Sequence, residues 1–167
     1  MQTLSRIGMF GKQPAAYEQV TLGGLIALNA ALRHPHKVAR LVLVGATPKF
    51  VQAPDWPHAM PTEVFADFAR SLTQDYRATL LRFLSLQAGG NESARALLKQ
   101  LRAEMFAPGE PQPEALAAGL AILEQTDQRA RLAEIQVPAL VVHGSHDRLA
   151  PPAAGEYLAA QLPAARL

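Results

Sequence analysis

Residues 141–147, Val-Val-His-Gly-Ser-His-Asp, bring a carboxylate, two imidazoles and a hydroxyl together behind an apolar run. The spacing strand–Gly–x–x–Asp sets Asp147 just past the carboxyl end of a strand, where open α/β sheets place their sites. An Asp there also suits a second task, capping the next turn by accepting its backbone N–H groups. The motif alone leaves both readings open. His143 and His146 stand three apart, a spacing that could suggest a metal site. A strand end does not bring such a pair together, and no further ligand is evident, so no metal is expected. The sequence has no Cys, which excludes disulfides, thiolate metal sites and a thiol nucleophile.

A second group of candidates is basic. Between Arg70 and Arg102, six basic residues (Arg70, Arg77, Arg82, Arg95, Lys99 and Arg102) face two acidic ones, Asp75 and Glu92. Arg95, Lys99 and Arg102 follow i, i+4, i+7 and share one helix face. A solvated face and a dock for an acidic protein are both consistent with this charge. No aromatic interleaving or nucleic-acid-binding motif accompanies it, so no nucleic-acid partner is expected.

These residues need elements to position them. Apolar residues at helical spacing predict a helix over Leu22–Arg33, ended by His34-Pro35. The β-branched run 38–45 reads as a strand buried on both faces, as in a parallel sheet. Pro48, Pro54, Pro57 and Pro61 then mark an excursion away from the sheet. Four helices are expected there. The first is capped by Thr62, with Phe65, Phe68, Ala69 and Leu72 on one face. The second, over 75–86, turns Tyr76, Leu80, Phe83 and Leu84 inward. The third covers 91–105 with Asn91 as its cap, and the fourth covers 114–125. Residues 138–143 predict a second buried strand, and Pro151-Pro152 opens a helix over 153–162. Residues 1–21 show no period and stay unassigned. The layout is an α/β core (22–54 and 131–167) interrupted by a helical cap (55–130).

The 167 residues fit one ordinary domain. Hydrophobic residues make up 49% and charged ones 18%, which argues against a disordered chain. A net charge of +2 does not suggest a phosphate-binding surface. The longest apolar run, 115–123, is far short of a membrane span, and the first residues lack the apolar core of a signal peptide. A soluble cytoplasmic protein with no membrane partner is the expectation.

The chain resembles the α/β-hydrolases that carry a helical cap after the sixth strand. The resemblance rests on Leu22-Gly23-Gly24-Leu25, His34-Pro35 with Val38, and Gly-Leu-Ala-Ile-Leu at 119–123. It rests also on His-Gly-Ser-His-Asp-Arg-Leu-Ala-Pro at 143–151. The narrower stretches Asp55-Trp56-Pro57 and Arg-Phe-Leu-Ser-Leu-Gln at 82–87 favour the pimeloyl-acyl-carrier-protein methyl ester carboxylesterases of biotin synthesis. The resemblance implies a partial α/β-hydrolase fold, with two evident parallel strands, flanking helices and a four-helix cap. It begins at the elbow. This implies an internal piece of an esterase, preceded by an unrelated or frame-shifted stretch.

Such enzymes use Ser, Asp and His in that chain order, with the Ser on a G-x-S-x-G elbow. Asp147 matches the acid. The elbow falls at Gln19-Val20-Thr21-Leu22-Gly23, so Thr21 occupies the nucleophile position and Leu22 would supply an oxyanion N–H. Gln-Val-Thr stands where the family has Gly-x-Ser: Gln19 is not small, and a β-branched Thr suits a positive-φ turn poorly. Thr21 also reads as an ordinary polar residue at a helix start. No His follows Asp147 to complete the triad. Trp56 and Phe83 resemble positions near the family's acyl channel, though both also suit a core. Arg82, Arg95 and Lys99 resemble basic cap positions that meet the acidic acyl carrier protein. The implied substrate is a small ester on that carrier, with no cofactor. A non-catalytic carrier-binding module, or another capped hydrolase such as a lactonase or C–C hydrolase, remain as alternatives.

Overall fold

The computed structural model describes residues 15–20, 22–87, 112–147 and 149–167, with 15–20 and 83–87 described by backbone alone. Strands β1 (Ala15–Val20), β2 (Val38–Val44), β3 (Ala139–Val142) and β4 (Ala165–Arg166) pair in chain order as one four-stranded sheet. All three pairings are parallel, with Val20 opposite Val44 and Val44 opposite Val142. Parallel neighbours need crossover connections. Helix α1 (Leu22–Arg33) joins β1 to β2. The excursion between β2 and β3 contains α2 (Thr62–Gln74), α3 (Tyr76–Gln87) and α4 (Pro113–Gln125). Helix α5 (Pro152–Gln161) joins β3 to β4. Among the described residues no helix is long and apolar enough to cross a membrane.

The core follows from periodicity. Leu28 and Ala31 on α1 meet Leu41 and Leu43 on β2 and Val141 on β3. Leu132 and Ile135, from and just after the 3-10 turn Arg129–Glu134, join them with Leu158 of α5. These elements all cover one sheet face. The other face of β3 carries Leu140 and Val142, which are 44% and 45% exposed. The expectation of burial on both faces is therefore corrected: β3 alternates, because the described helices packed against it lie on one side only.

Two further corrections concern elements. Residues 15–20, expected to be unassigned, form β1 in register with β2, so four parallel strands replace the two evident ones. Glu18 and Gln19 interrupt the apolar pattern there, yet ladder hydrogen bonds to β2 do not require one. Thr62 is the first residue of α2 rather than its cap, and Pro61 takes the boundary position with no side-chain cap. Asp75 does cap α3, accepting the Ala78 N–H at 2.9 Å. The expected helix 91–105 lies outside the described residues.

The segment that leaves β2 and the segment that returns to β3 are fastened to each other. Lys49 and Asp127 form an antiparallel bridge, and the Gln128 N–H donates to the Pro48 carbonyl at 3.0 Å. Arg129 lies 2.7 Å from Asp127 and 3.0 Å from Asp55, with its guanidinium 5.3 Å from the centre of the Trp56 ring. Gln128 Nε2 donates to the Leu25 carbonyl of α1 at 3.0 Å, tying this neck to the core. The Arg129 hydrogen bond holds the Asp127 carboxyl below the usual carboxylate range, against an opposing effect of burial. A depressed folded pKa gives stability that is full above the unfolded value and lost as pH falls through the folded one. Acid melts should therefore show wild type losing stability below about pH 4. Asp127→Asn should be about 1 kcal/mol less stable at neutral pH, the low end for a partly solvated charged hydrogen bond, with a flatter acid limb. Parallel acid limbs for the two proteins would contradict this.

Candidate active site

Strand β3 stops at Val142, and a turn closed by the Asp147 N–H on the Gly144 carbonyl (3.1 Å) brings Asp147 back to the strand end. Its Oδ1 accepts the N–H groups of Leu149 at 2.8 Å and Ala150 at 3.0 Å. The turn-capping role is thus filled by one oxygen. The other, Oδ2, lies beside Gly45, the residue that ends β2 with φ +54°; a Cβ on Gly45 would come within 3.2 Å of it. The carboxylate therefore spans the carboxyl ends of two adjacent parallel strands. Gly45 was not singled out from the sequence. Its signal is only a Gly after an apolar run, and its partner is distant in the chain.

Gly45→Ala should cost about 1–2 kcal/mol for the left-handed backbone, and it should crowd Asp147. Gly144→Ala, where the nearest atom would be Asp147 Cβ at 4.0 Å, is the control and should be close to neutral. Equal melting temperatures for the two variants would contradict this.

The elbow lies at the same end of the sheet. Strand β1 ends at Val20 and α1 starts at Leu22. Thr21 lies outside the described residues. The Leu22 N–H belongs to the first turn of α1, which has no acceptor within the helix, and is the kind of donor an oxyanion hole uses. Gly24 packs on Ala46, just past Gly45: a Cβ there would approach the Ala46 Cβ to 2.8 Å. The elbow helix and the loop flanking Asp147 are therefore in contact. Gly119 of cap helix α4 faces Leu22, with an added Cβ 3.8 Å from Leu22 Cδ2.

A cavity of about 870 Å³ opens between α2 and α3, within the range of small-molecule sites. Met60, Val64 and Phe68 give it an apolar wall, Arg82 and Asp75 lie toward solvent, and Leu149 closes it from the Asp147 loop. Leu149 carries no signal of a site residue in the sequence. It joins acid and cavity, because its N–H is bound by Asp147 while its side chain lines the wall.

The other expected positions separate. Trp56 is 2% exposed, lines neither this cavity nor a smaller one on the bare sheet face, and packs 4.9 Å from Tyr157. It packs with Ala59 and Ala154, and its indole N–H donates to the Lys49 carbonyl at 3.0 Å. Phe83 is on α3 with its side chain outside the description, and Arg95 and Lys99 lie outside the described residues. Ser145 Oγ sits 3.0 Å from His146 Nδ1 at the surface, whereas His143 turns inward. Among the described residues no group of three or more His, Asp or Glu could hold a metal ion.

Comparison with known proteins agrees with this arrangement. The α/β-hydrolase fold family matches residues 21–167. A curated relative from Xanthomonas oryzae pv. oryzae, a pimeloyl-[acyl-carrier protein] methyl ester esterase, is 47% identical over 149 residues, covering 89% of this chain and 58% of its own length. A protein of the same name from Aromatoleum aromaticum is 44% identical over 152 residues, covering 88% of this chain and 61% of its own. The chain thus spans less than two thirds of these relatives. Among solved structures, an esterase from Exiguobacterium antarcticum superposes with a TM-score of 0.81 at 23% identity, covering 93% of this chain and 57% of that one. With its parallel sheet, strand-to-helix elbow and acid past β3, the chain belongs to the α/β-hydrolase fold family.

Proposed function

We propose that this chain carries the elbow, acid-loop and cap portion of a carboxylic-ester hydrolase acting on the methyl ester of an acyl group borne by acyl carrier protein. One observation carries the reading furthest: Leu149 belongs both to the loop bound by Asp147 and to the wall of the cap cavity. A ligand in that cavity would thereby touch the loop whose amides Asp147 holds. The names of the curated relatives support the substrate class. A lactonase reading has no comparable support.

In such a reaction a hydroxyl at the elbow attacks the ester carbonyl and methanol leaves. Water then releases the acyl group as the free acid. A His carries the proton at each step and the acid orients it. Asp147 is arranged for the last role. Its Oδ1 is occupied by two backbone N–H groups, which leaves Oδ2 to receive an imidazole N–H.

Arg82, exposed at the cavity rim, suits an acidic carrier. Titration with pimeloyl-carrier methyl ester should give saturable binding that weakens as salt rises. Arg82→Glu should weaken it about tenfold, the effect of roughly 1.4 kcal/mol. Affinity unchanged by both salt and Arg82→Glu would remove the carrier from this reading.

A further inference from the structure

His143 has no part in the triad order, yet it is among the most enclosed polar side chains near Asp147, only 3% exposed. Its Nε2 lies 2.7 Å from the Ala150 carbonyl oxygen. A carbonyl only accepts, so Nε2 carries the proton. Its Nδ1 is buried with no hydrogen-bond partner. On that side the ring meets the backbone of α5 at Gly155, where a Cβ would fall 2.8 Å from the His143 Cγ. Any larger residue at 155 would displace the ring.

Ala150 is consequently held from both sides. Its carbonyl receives the His143 N–H, and its own N–H donates to Asp147 Oδ1 at 3.0 Å. The Leu149 N–H shares that oxygen at 2.8 Å. The direct separation of His143 Nε2 from Asp147 Oδ2, 3.8 Å, is too long for a hydrogen bond. The imidazole therefore acts on the carboxylate through Ala150.

We propose that His143 is the positioning residue of the acid: its Nε2–H, fixed on the Ala150 carbonyl and braced by Gly155, holds the loop so that Asp147 Oδ1 is saturated by backbone and Oδ2 is presented. This rests on the reading of Asp147 as the triad acid. Without the donor, the turn closed by Gly144 and Asp147 persists but Ala150 loses its tether. The Leu149 and Ala150 amides then drift from Oδ1, and the carboxylate rotates freely.

The test reads the loop amides and the ring. Long-range proton–nitrogen spectra of the labelled chain should show His143 with Nε2 protonated and Nδ1 bare; the opposite tautomer would overturn the proposal. Glutamine places its amide nitrogen near the imidazole Nε2, whereas asparagine places its own near Nδ1. His143→Gln should therefore keep the Leu149 and Ala150 amide protons shifted downfield and slowly exchanging. His143→Asn should move them upfield and speed their exchange about tenfold, one hydrogen bond's net contribution. Gly155→Ala, which leaves His143 in place but displaces its ring, should act like His143→Asn. A general loss of stability would not separate Gln from Asn, so equal effects of the two would overturn the proposal. If His143→Asn does not fold, the tautomer and Gly155→Ala decide. None of these readouts depends on turnover. Failure of the ester-hydrolase reading would leave them unchanged, and their failure would leave that reading standing.

Discussion

Replacing Trp56 with Ala is expected to remove about 3–5 kcal/mol of stability, the range for truncating a buried large aromatic. The indole is 2% exposed and edge-on to Tyr157 at 4.9 Å and His58 at 5.3 Å. Its N–H donates to the Lys49 carbonyl at 3.0 Å, and the Arg129 guanidinium lies over its ring. Truncation would therefore remove apolar contact, take one of two donors from the Lys49 carbonyl, which keeps the Thr47 hydroxyl at 2.6 Å, and uncover the Arg129–Asp55 pair together. Set against a usual total of about 5–15 kcal/mol, the loss is large. It should lower the melting temperature by about 2–4 °C per kcal/mol in a chain of this size. Trp56→Phe keeps most of the ring and loses the N–H, so it should cost about 1–2 kcal/mol. Chemical denaturation of the two variants separates core from pocket. A Trp56→Ala protein of near wild-type stability, with weakened ester binding, would return the indole to a ligand wall.

The parts of the fold readable from sequence are those whose signals are local. Helix α1 appears at Leu22–Arg33 because its apolar spacing is regular and Pro35 stops it. Strands β2 and β3 appear because Val, Leu and Ala runs are bounded by Gly or Pro, and their parallel pairing places Asp147 past the end of β3. Strand β1 did not announce itself, since Tyr17, Glu18 and Gln19 carry no period and its support is the ladder to β2. The partners of Asp147 were hidden for a different reason. Gly45 follows another strand, β2, and Leu149 reaches the cavity only after the chain folds. The neck charges Asp55, Asp127 and Arg129 carry no pairing signal in the sequence. They are joined only when the outgoing and returning crossings meet, which no local pattern encodes.

The second large effect concerns turnover. Losing the nucleophile or the base of a hydrolase triad lowers kcat about 10⁶-fold, because the triad acts as a unit. In the proposed reading the nucleophile position falls on Thr21, with Gln19 two residues before it, and none of the 20 residues given after Asp147 is a His. Under the proposed reading, Asp147 and the cavity between α2 and α3 do not replace those groups: within these 167 residues no imidazole follows Asp147 in the family's chain order, and Thr21 stands where the reaction calls for an activated Ser. If the proposed substrate is right, recognition and chemistry should come apart in the 167-residue polypeptide: it should bind the carrier-borne ester without hydrolysing it.

The most direct measurement incubates the 167-residue polypeptide with pimeloyl-carrier methyl ester and follows binding and free-acid release in the same samples. The expected result is saturable binding, weakened by Arg82→Glu, with acid release no faster than in buffer. Absence of any binding would contradict the proposed substrate. Saturable acid release abolished by both Thr21→Ala and Asp147→Asn would contradict the separation of binding from turnover.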